Sequence, residues 1–440
     1  MSTSYERRRE LEALDPTALE EYQLERLNAL LSQILPHNKF YEEKLGNIQW
    51  PLESLELVKQ FPFTSKDELI TGESSDVAAN LTYPIERYTR MHRTSGTRGR
   101  PIVVLDTAED WQWWIDCWQF VLDAADVGEK DRALMAFSFG PFIGFWSAYD
   151  AVAARGALVI PTGGLSTLAR LELMREMNAT VLFCTPTYAL RMAEVAQENK
   201  IDTACIGVSK IIVAGEPGGS IPSVRDRIET SWNARLIDHS GATEVGPWGY
   251  ADEHQYGLHV NESEFLPEFI SVETGEKSGD GELSELILTT LGRAGSPVIR
   301  YRTGDLVRPT WKSTTASNFV LLEGGVLGRN DDMMIIRGVN IFPSSVEQIL
   351  RSFPDIVEYR ITARKSGEMD TLAIEVEDHI DDPQRIAKEL QVRLGLTVEV
   401  SSVSIGSLPR FEAKGKRFVD LRGRGGETTN HTNDTNKREK

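Results

Sequence analysis

Cysteine is scarce in this chain: Cys117, Cys184 and Cys205 are the three among 440 residues, far apart and without a Cys-x-x-Cys pair. That spacing excludes a disulfide framework and a cysteine-built zinc site, and it fits a reducing compartment. Long hydrophobic runs are missing too. No stretch approaches the ~20 apolar residues needed to span a bilayer. The charged start, Met1 to Glu10, is not followed by the apolar segment of a secretory leader. The expected location is the cytoplasm, with no membrane contact. Positive charge is in deficit: 48 Lys and Arg against 66 Asp and Glu give a formal net charge of −18. Such a balance opposes nucleic-acid binding, which needs clustered cations, so any nucleotide must be held by a local site.

What is present is ordinary for a globular protein, with 40% hydrophobic and 26% charged residues. The length suggests two to four domains of roughly 100–200 residues each. From about residue 100 to 240, strand-length apolar runs (PIVVLDT, RALMAFSFG, ALVIPTG, TVLFCTP) alternate with helix-length amphipathic ones. This alternation predicts βαβ units and a mainly parallel sheet, whose ligands bind at loops beyond the strand C-termini. Trp111, Trp114, Ile115 and Trp118 recur at helical spacing, as a helix face packed on the sheet would, or as a ring-stacking platform would. Residues 265–312 carry strand-like runs with few helical signals, which predicts a β-rich subdomain.

After Asp331 the pattern changes. Ser344 and Glu347 have the spacing of a capping box, so a helix is expected from there. VEYRITA and LAIEVED read as strands around a Ser366-Gly367 turn, and PQRIAKELQVRL as a second helix. The expected organisation is α/β: a large N-terminal domain over 1–330, with a parallel βα sheet and the β-rich subdomain, then a small α+β domain over 331–422. Residues 423–440 have almost no apolar side chain and are expected to form a disordered tail.

Several segments carry groups suited to a nucleotide. Thr94, Ser95, Gly96, Thr97 and Gly99, with Arg98 and Arg100, offer close backbone approach, hydroxyls and charge to phosphate oxygens. The loop is not the GxxxxGK[ST] motif, and a plain flexible turn explains it equally well in isolation. Glu244, just after the strand ARLI, is placed to hold Mg²⁺ carrying ATP phosphates, with Thr243 as a phosphate donor; a solvated loop acid is the plain alternative. Asp305, in Tyr301-Arg302-Thr303-Gly304-Asp305, can accept both ribose hydroxyls through its paired oxygens.

Together these segments resemble the adenylate-forming superfamily of acyl-CoA ligases, and within it the phenylacetate-CoA ligase group. The likeness runs from Phe61-Pro62-Phe63-Thr64-Ser65-Lys66-Asp67 through Thr94 to Pro101, Ala214-Gly215-Glu216-Pro217, Arg300 to Asp305, and Gly328 to Pro343. It ends at Leu408-Pro409-Arg410, Lys414 and Asp420, and so covers nearly everything from residue 30 to 422.

The resemblance implies a two-step ligase using ATP and Mg²⁺. A carboxylic acid is first joined to AMP with loss of pyrophosphate, and a thiol, expected to be that of CoA, then displaces AMP. It implies Lys414, on a mobile small domain, as the cation for the α-phosphate, with Lys416 as rival, and Glu244 as the Mg²⁺ ligand. It places adenine and ribose near Gly215, Glu216, Pro217, His239, Ser240, Asp305 and Arg329, and a hinge at Asp331. Phe139, Phe142, Phe145, Trp146, Gly241, Ala242 and Pro247 are candidate walls for an aromatic acyl group, although core packing explains the aromatics equally well.

Two departures stand out. Ser240 occupies the position where an aromatic residue usually stacks on adenine, so His239 or another group would have to cover the base. Asp252 stands where a first zinc-binding cysteine is common and His259 where the histidine is, so no structural zinc is expected. The acceptor could instead be a carrier-protein thiol or an amine. A regulatory protein that binds adenylate without turnover is the non-enzymatic alternative, and the chain is compatible with a homodimer.

Overall fold

The chain divides into two compact units, a large one that contains residues 1–332 and a small one that begins at 333. The structure is a computed structural model. It describes residues 3–422 except 47, 72–76, 95–100, 253, 255–256, 312–316, 331–333, 337–338, 367–368, 396 and 411–416.

Helices α1 (Tyr5–Glu12), α2 (Pro16–Ile34) and α3 (Lys39–Leu45) open the large unit. α2 begins where the Asp15 carboxylate accepts the Thr17 and Ala18 amides, and Pro16 fills a first-turn position whose N–H would have no partner anyway. Strands β1 (Tyr88–Arg93) and β2 (Val103–Thr107) pair antiparallel, and α4 (Ala108–Ala124) follows under a Thr107/Asp110 capping box.

Next comes strict alternation: β3 (Arg132–Met135), α5 (Trp146–Ala154), β4 (Leu158–Pro161), α6 (Thr167–Glu176), β5 (Val181–Cys184), α7 (Pro186–Glu198), β6 (Lys210–Val213), α8 (Pro222–Trp232) and β7 (Arg235–Ala242). The five strands run parallel in the order β4-β3-β5-β6-β7. Side chains alternate across the pleat, so Val181 and Phe183 pack in one cluster with α4 and α5. Leu182 and Cys184 pack in the other with α6, α7 and α8. The tryptophan stripe of α4 belongs to the first cluster: Trp111, Trp113, Trp114 and Trp118 are all buried, as a helix face packed on the sheet requires.

Beyond β7 the sheet turns antiparallel through β8 (Gly246–Tyr250) and β9 (Gly257–Val260). A second, antiparallel sheet is built from β10 (Phe265–Ser271), β11 (Ser284–Thr290) and β12 (Tyr301–Val307). The short β13 (Pro309–Thr310) and β14 (Leu321–Glu323) extend the large sheet past β9, while β15 (Gly328–Arg329) closes the second one against β12.

In the small unit, β16 (Met334–Ile336) and β17 (Val339–Ile341) form a hairpin ahead of α9 (Pro343–Arg351). A four-stranded sheet follows, with β18 (Ile356–Ser366), β19 (Met369–Asp378), α10 (Pro383–Leu394), β20 (Glu399–Ser402) and β21 (Phe418–Asp420), in the order β20-β19-β18-β21. The expected Ser344 cap does not form. α9 begins one residue earlier, with Pro343 in its first turn and no side-chain cap at Phe342. Ser344 Oγ is buried without a partner among the described residues, and the Glu347 carboxylate accepts the Tyr359 hydroxyl at 3.1 Å. Proline, with its φ preset for the first helical turn, takes over the start of the helix.

Charged residues fasten α1 to the sheet layer. Arg8 Nε donates to Asp123 Oδ2 at 2.6 Å and Arg155 donates to Asp123 Oδ1 at 2.6 Å, while the Tyr250 hydroxyl donates to Glu12. The Asp123 side chain is 2% exposed, so removing it strands two guanidinium groups in the interior. Asp123→Ala is expected to cost roughly 3–5 kcal/mol in urea unfolding, the range for breaking a buried pair. Glu10→Ala, in a pair with side chains 49% and 63% exposed, should change stability by less than about 1 kcal/mol. Equal losses at the two positions would contradict this account.

Candidate active site

Because β3, β5, β6 and β7 are parallel and in register, the segments that follow them leave from one edge of the sheet. That edge gathers the loop after Met135, the start of α7, the Gly215–Pro217 turn and the β7–β8 turn. Gly215 has φ +92, a left-handed conformation that favours glycine. The Glu216 carboxylate folds back on the first turn of α7, where it accepts the Thr187 amide at 2.8 Å and the Thr187 hydroxyl. An anion at a helix N-terminus is favourably placed, so Glu216 is oriented by α7.

Asp238 of β7, opposite the last residue of β6, is buried beside this turn, and Ser220 Oγ donates to its Oδ2 at 2.6 Å. A Cβ on Gly219 would come 2.4 Å from its carboxyl carbon, so only glycine lets the chain pass here. Burial pushes the Asp238 carboxyl up to about 6. The His239 ring is turned into the core, 4.1 Å from Trp118, with Nδ1 2.7 Å from the Gly249 carbonyl. Burial pushes it down to about 4, so it is neutral at pH 7. Ser240 is half-buried opposite Gly249.

The β7–β8 turn is held from two sides. Arg293 donates to the carbonyls of Thr243 at 3.2 Å and Glu244 at 3.0 Å, and the Tyr301 hydroxyl donates to Glu244 Oε1 at 2.8 Å. The Glu244 carboxylate is thereby tied to the first residue of β12, the strand that carries Asp305. Asp305 Oδ1 accepts from Arg329 at 3.1 Å, and Arg329 also donates to the Thr303 carbonyl at 3.0 Å. Gly304, at φ +75, provides the bend between them. Thr94 closes the base of the glycine-rich loop: its amide donates to the Ile102 carbonyl and its Oγ1 accepts the Ile102 amide, both at 3.0 Å. Ser95, Gly96, Thr97, Arg98, Gly99, Arg100, Asp331, Lys414 and Lys416 lie outside the described residues.

The loop after β3 carries an aromatic cluster. Phe139 meets Trp146 at 4.6 Å and Tyr149 at 5.8 Å, both edge to face. Phe137 is edge-on to Phe139, Phe142 and Phe145 at 5.6, 5.3 and 5.5 Å. Phe142 is 38% exposed and Phe139 and Trp146 half-buried, whereas Phe145 is 2% exposed and packs on Trp118 and Phe183 in the core. Across the edge, a Cβ on Gly241 would come 2.9 Å from the Gly246 carbonyl, so the β7–β8 bulge requires glycine there. Ala242 is half-buried and Pro247 buried beside it.

Sequence reasoning passed over Thr187, Asp238, Arg293 and Phe137, and gave Tyr301 no role. Thr187, Asp238 and Arg293 act through partners remote in sequence, Phe137 sits in a run that reads as core strand, and a tyrosine opening an apolar strand reads by default as core too. Elsewhere, His259 sits with Nδ1 3.0 Å from the Phe319 carbonyl and Nε2 3.3 Å from Asp252 Oδ2. Among the described residues no group of three or more His, Cys, Asp or Glu side chains is arranged to hold a metal. Among the described residues, too, no helix is long and apolar enough to cross a membrane.

Comparison with known proteins agrees with this geometry. Residues 76–264 match the family of AMP-binding enzymes, and residues 338–422 match the AMP-binding enzyme C-terminal domain. A phenylacetate-coenzyme A ligase of Escherichia coli is 31% identical over 94% of this chain and 97% of its own length. The chain belongs to the phenylacetate-CoA ligase family of AMP-binding enzymes. The namesake of Pseudomonas putida is 30% identical over 94% of this chain and 96% of its own length. A crystal structure of a 2-hydroxyisobutyryl-CoA ligase superposes with a TM-score of 0.87 at 25% identity, covering 94% of this chain and 91% of the other. As a phenylacetate-CoA ligase family member, the chain is an AMP-forming acid–thiol ligase with the α/β fold of adenylate-forming enzymes.

The two perturbed groups of β7 make a measurable signature. Asp238 is raised from 3.8 to about 6, so the native state holds the extra proton between these values and stability falls as pH rises through them. His239 is lowered from 6.5 to about 4. There the unfolded chain holds the extra proton, and stability rises with pH. Asp238→Asn keeps an acceptor for Ser220 and removes only the first slope. Urea unfolding between pH 4 and 6 should show the variant gaining on wild type by about 2–3 kcal/mol as pH rises, because each tenfold change in proton affinity is worth ~1.4 kcal/mol. Parallel curves would remove the carboxyl from this role.

Proposed function

We propose that the enzyme activates an aromatic carboxylic acid to its acyl-adenylate and passes the acyl group to CoA. The observation that carries the choice of acid is the edge-to-face cluster of Phe137, Phe139, Phe142, Trp146 and Tyr149 at the C-terminal edge of the parallel sheet. A flat acyl group suits such a wall, and phenylacetate is the natural first substrate to test given the relatives' names.

In this reading the acid's carboxylate oxygen bonds to the α-phosphorus of ATP as the bond to the pyrophosphate oxygen breaks. The thiolate of CoA then attacks the acyl carbon and AMP leaves. Asp305 accepts the ribose hydroxyls while Arg329 holds its other side. Gly215, Glu216 and Pro217 border the adenine, and Asp238 offers its buried carboxyl to the exocyclic amine. The small Ser240 and the inward-turned His239 ring leave that face of the base without an aromatic lid from β7. Thr94, Ser95, Gly96, Thr97 and Gly99 supply phosphate donors along with Thr243. Lys414 brings a positive charge to the α-phosphate in the adenylation step. Asp331 is the hinge about which the small unit turns between the two steps.

Glu244 fits Mg²⁺ because, among the described residues, Tyr301 engages Oε1 and none engages Oε2. Mg²⁺ is commonly held by one or two carboxylates plus substrate phosphates, so a lone acid is enough. When bound, the ion neutralises charge on the phosphates. Tyr301 holds the carboxylate's rotation.

The test is pyrophosphate release with MgATP and a panel of aromatic and aliphatic acids, with and without CoA. Aromatic acids are expected to support release, and CoA to yield the thioester. Lys414→Ala should lose about 10² to 10³ in the adenylation rate, while thioester formation from supplied acyl-adenylate and CoA is retained. A panel in which only aliphatic acids react overturns the aromatic assignment, and silence across it overturns the reading as a whole.

A further inference from the structure

Arg293 is fully buried, on the segment between β11 and β12, and makes contacts in two directions. Toward the β7–β8 turn, its Nη1 donates to the Thr243 and Glu244 carbonyls. Toward β2, its Nε donates to Asp106 Oδ1 at 2.8 Å and its Nη2 lies 2.6 Å from the same oxygen. The guanidinium lies 5.1 Å over the Trp114 ring, whose Nε1 donates to Asp106 Oδ1 at 3.2 Å. Asp106 stands four residues beyond Ile102, the residue that closes the glycine-rich loop with Thr94. On its other side, His92 of β1 stacks on Trp111 with Nδ1 4.0 Å from Asp106 Oδ2.

The segment that carries Arg293 has no slack. A Cβ on Gly292 would come 2.3 Å from the Trp113 ring and one on Gly295 2.1 Å from the Asp110 carboxylate, which accepts the Gly295 amide at 3.0 Å. A guanidinium and a carboxylate withdrawn from water carry a large desolvation cost that an apolar pair of equal volume would avoid. An apolar pair, however, could not donate to two consecutive carbonyls, and a lysine could not present the same planar fork.

We propose that Arg293 and Asp106 are positioning residues for adenylation. They lock the Thr243–Glu244 turn and the β1–β2 pair, with Thr94 just past the end of β1, into one body, so that Thr94 and the turn keep a fixed separation. This rests on the reading of those two segments as the MgATP site. Neither residue touches substrate; both act through the backbone they hold. A misplacement of about 1 Å is enough to cost ~10² in rate, which sets the scale of the effect.

The test uses the full chain carrying Arg293→Lys or Asp106→Asn, each compared with wild type for folding by circular dichroism and for the two half-reactions separately. Pyrophosphate release is expected to fall by about 10², with the KM for the carboxylic acid unchanged. Thioester formation from supplied acyl-adenylate and CoA should stay within about threefold, since that step makes no use of the pyrophosphate-bearing groups. Equal losses in both half-reactions, or losses that follow the folded fraction, would make the pair a stability element and overturn the proposal. So would failure of both variants to fold, while unchanged pyrophosphate release in a folded variant would overturn it directly. A wild-type enzyme that releases no pyrophosphate with any acid defeats the underlying functional reading instead, and so separates the two failures.

Discussion

The inner strands of the parallel sheet, β3, β5 and β6, are buried on both faces and leave this protein few places for polar chemistry. Val181 and Phe183 face one helical layer and Leu182 and Cys184 the other, all without solvent contact, so the middle of the sheet offers nothing to a ligand. Polar side chains collect where the strands stop. The Gly215–Pro217 turn, Asp238 and the Thr243–Glu244 turn all lie at or just past the last paired residues of β6 and β7, a consequence of parallel register as much as of any motif.

The edge is held by charges spent inside the protein. Arg293 joins β2 to the β7–β8 turn, Tyr301 joins that turn to β12, and Arg329 joins β15 to Asp305 of that strand. Each link is a donor aimed at a carbonyl or a carboxylate, and each spans segments well separated in sequence. Buried ion pairs add little net stability over an apolar substitute, but they do fix direction, which is what a set of groups gathered from remote segments needs.

Much of the architecture could be read from residue order. The alternation of apolar runs from 100 to 240 corresponds to βαβ units, PQRIAKELQVRL coincides with α10, and the tryptophan stripe is a packed helix face. The start of α9 departs from the Ser-x-x-Glu spacing because the proline beside it sets the first turn. In the candidate site, motif spacing points to groups such as Glu244, Asp305 and Arg329, whose residue types advertise their chemistry. It does not point to Arg293, because the partner that gives that residue its direction lies 187 positions away. Nor does it tell Phe145, which is core, from Phe142, which is exposed, because both stand in one aromatic loop with the same composition.

The fastening of α1 has a consequence for the order in which the chain can assemble. Arg8 pairs with a carboxylate 115 positions later, and Glu12 with a hydroxyl 238 positions later. The Asn318 amide donates to the Glu12 carbonyl at 2.7 Å, which puts a third contact further along still. A growing chain on the ribosome exposes its first helix long before any of these partners exists. Helix α1 therefore emerges well before it can dock in full, and Glu12 must stay hydrated until Tyr250 and then Asn318 have been made.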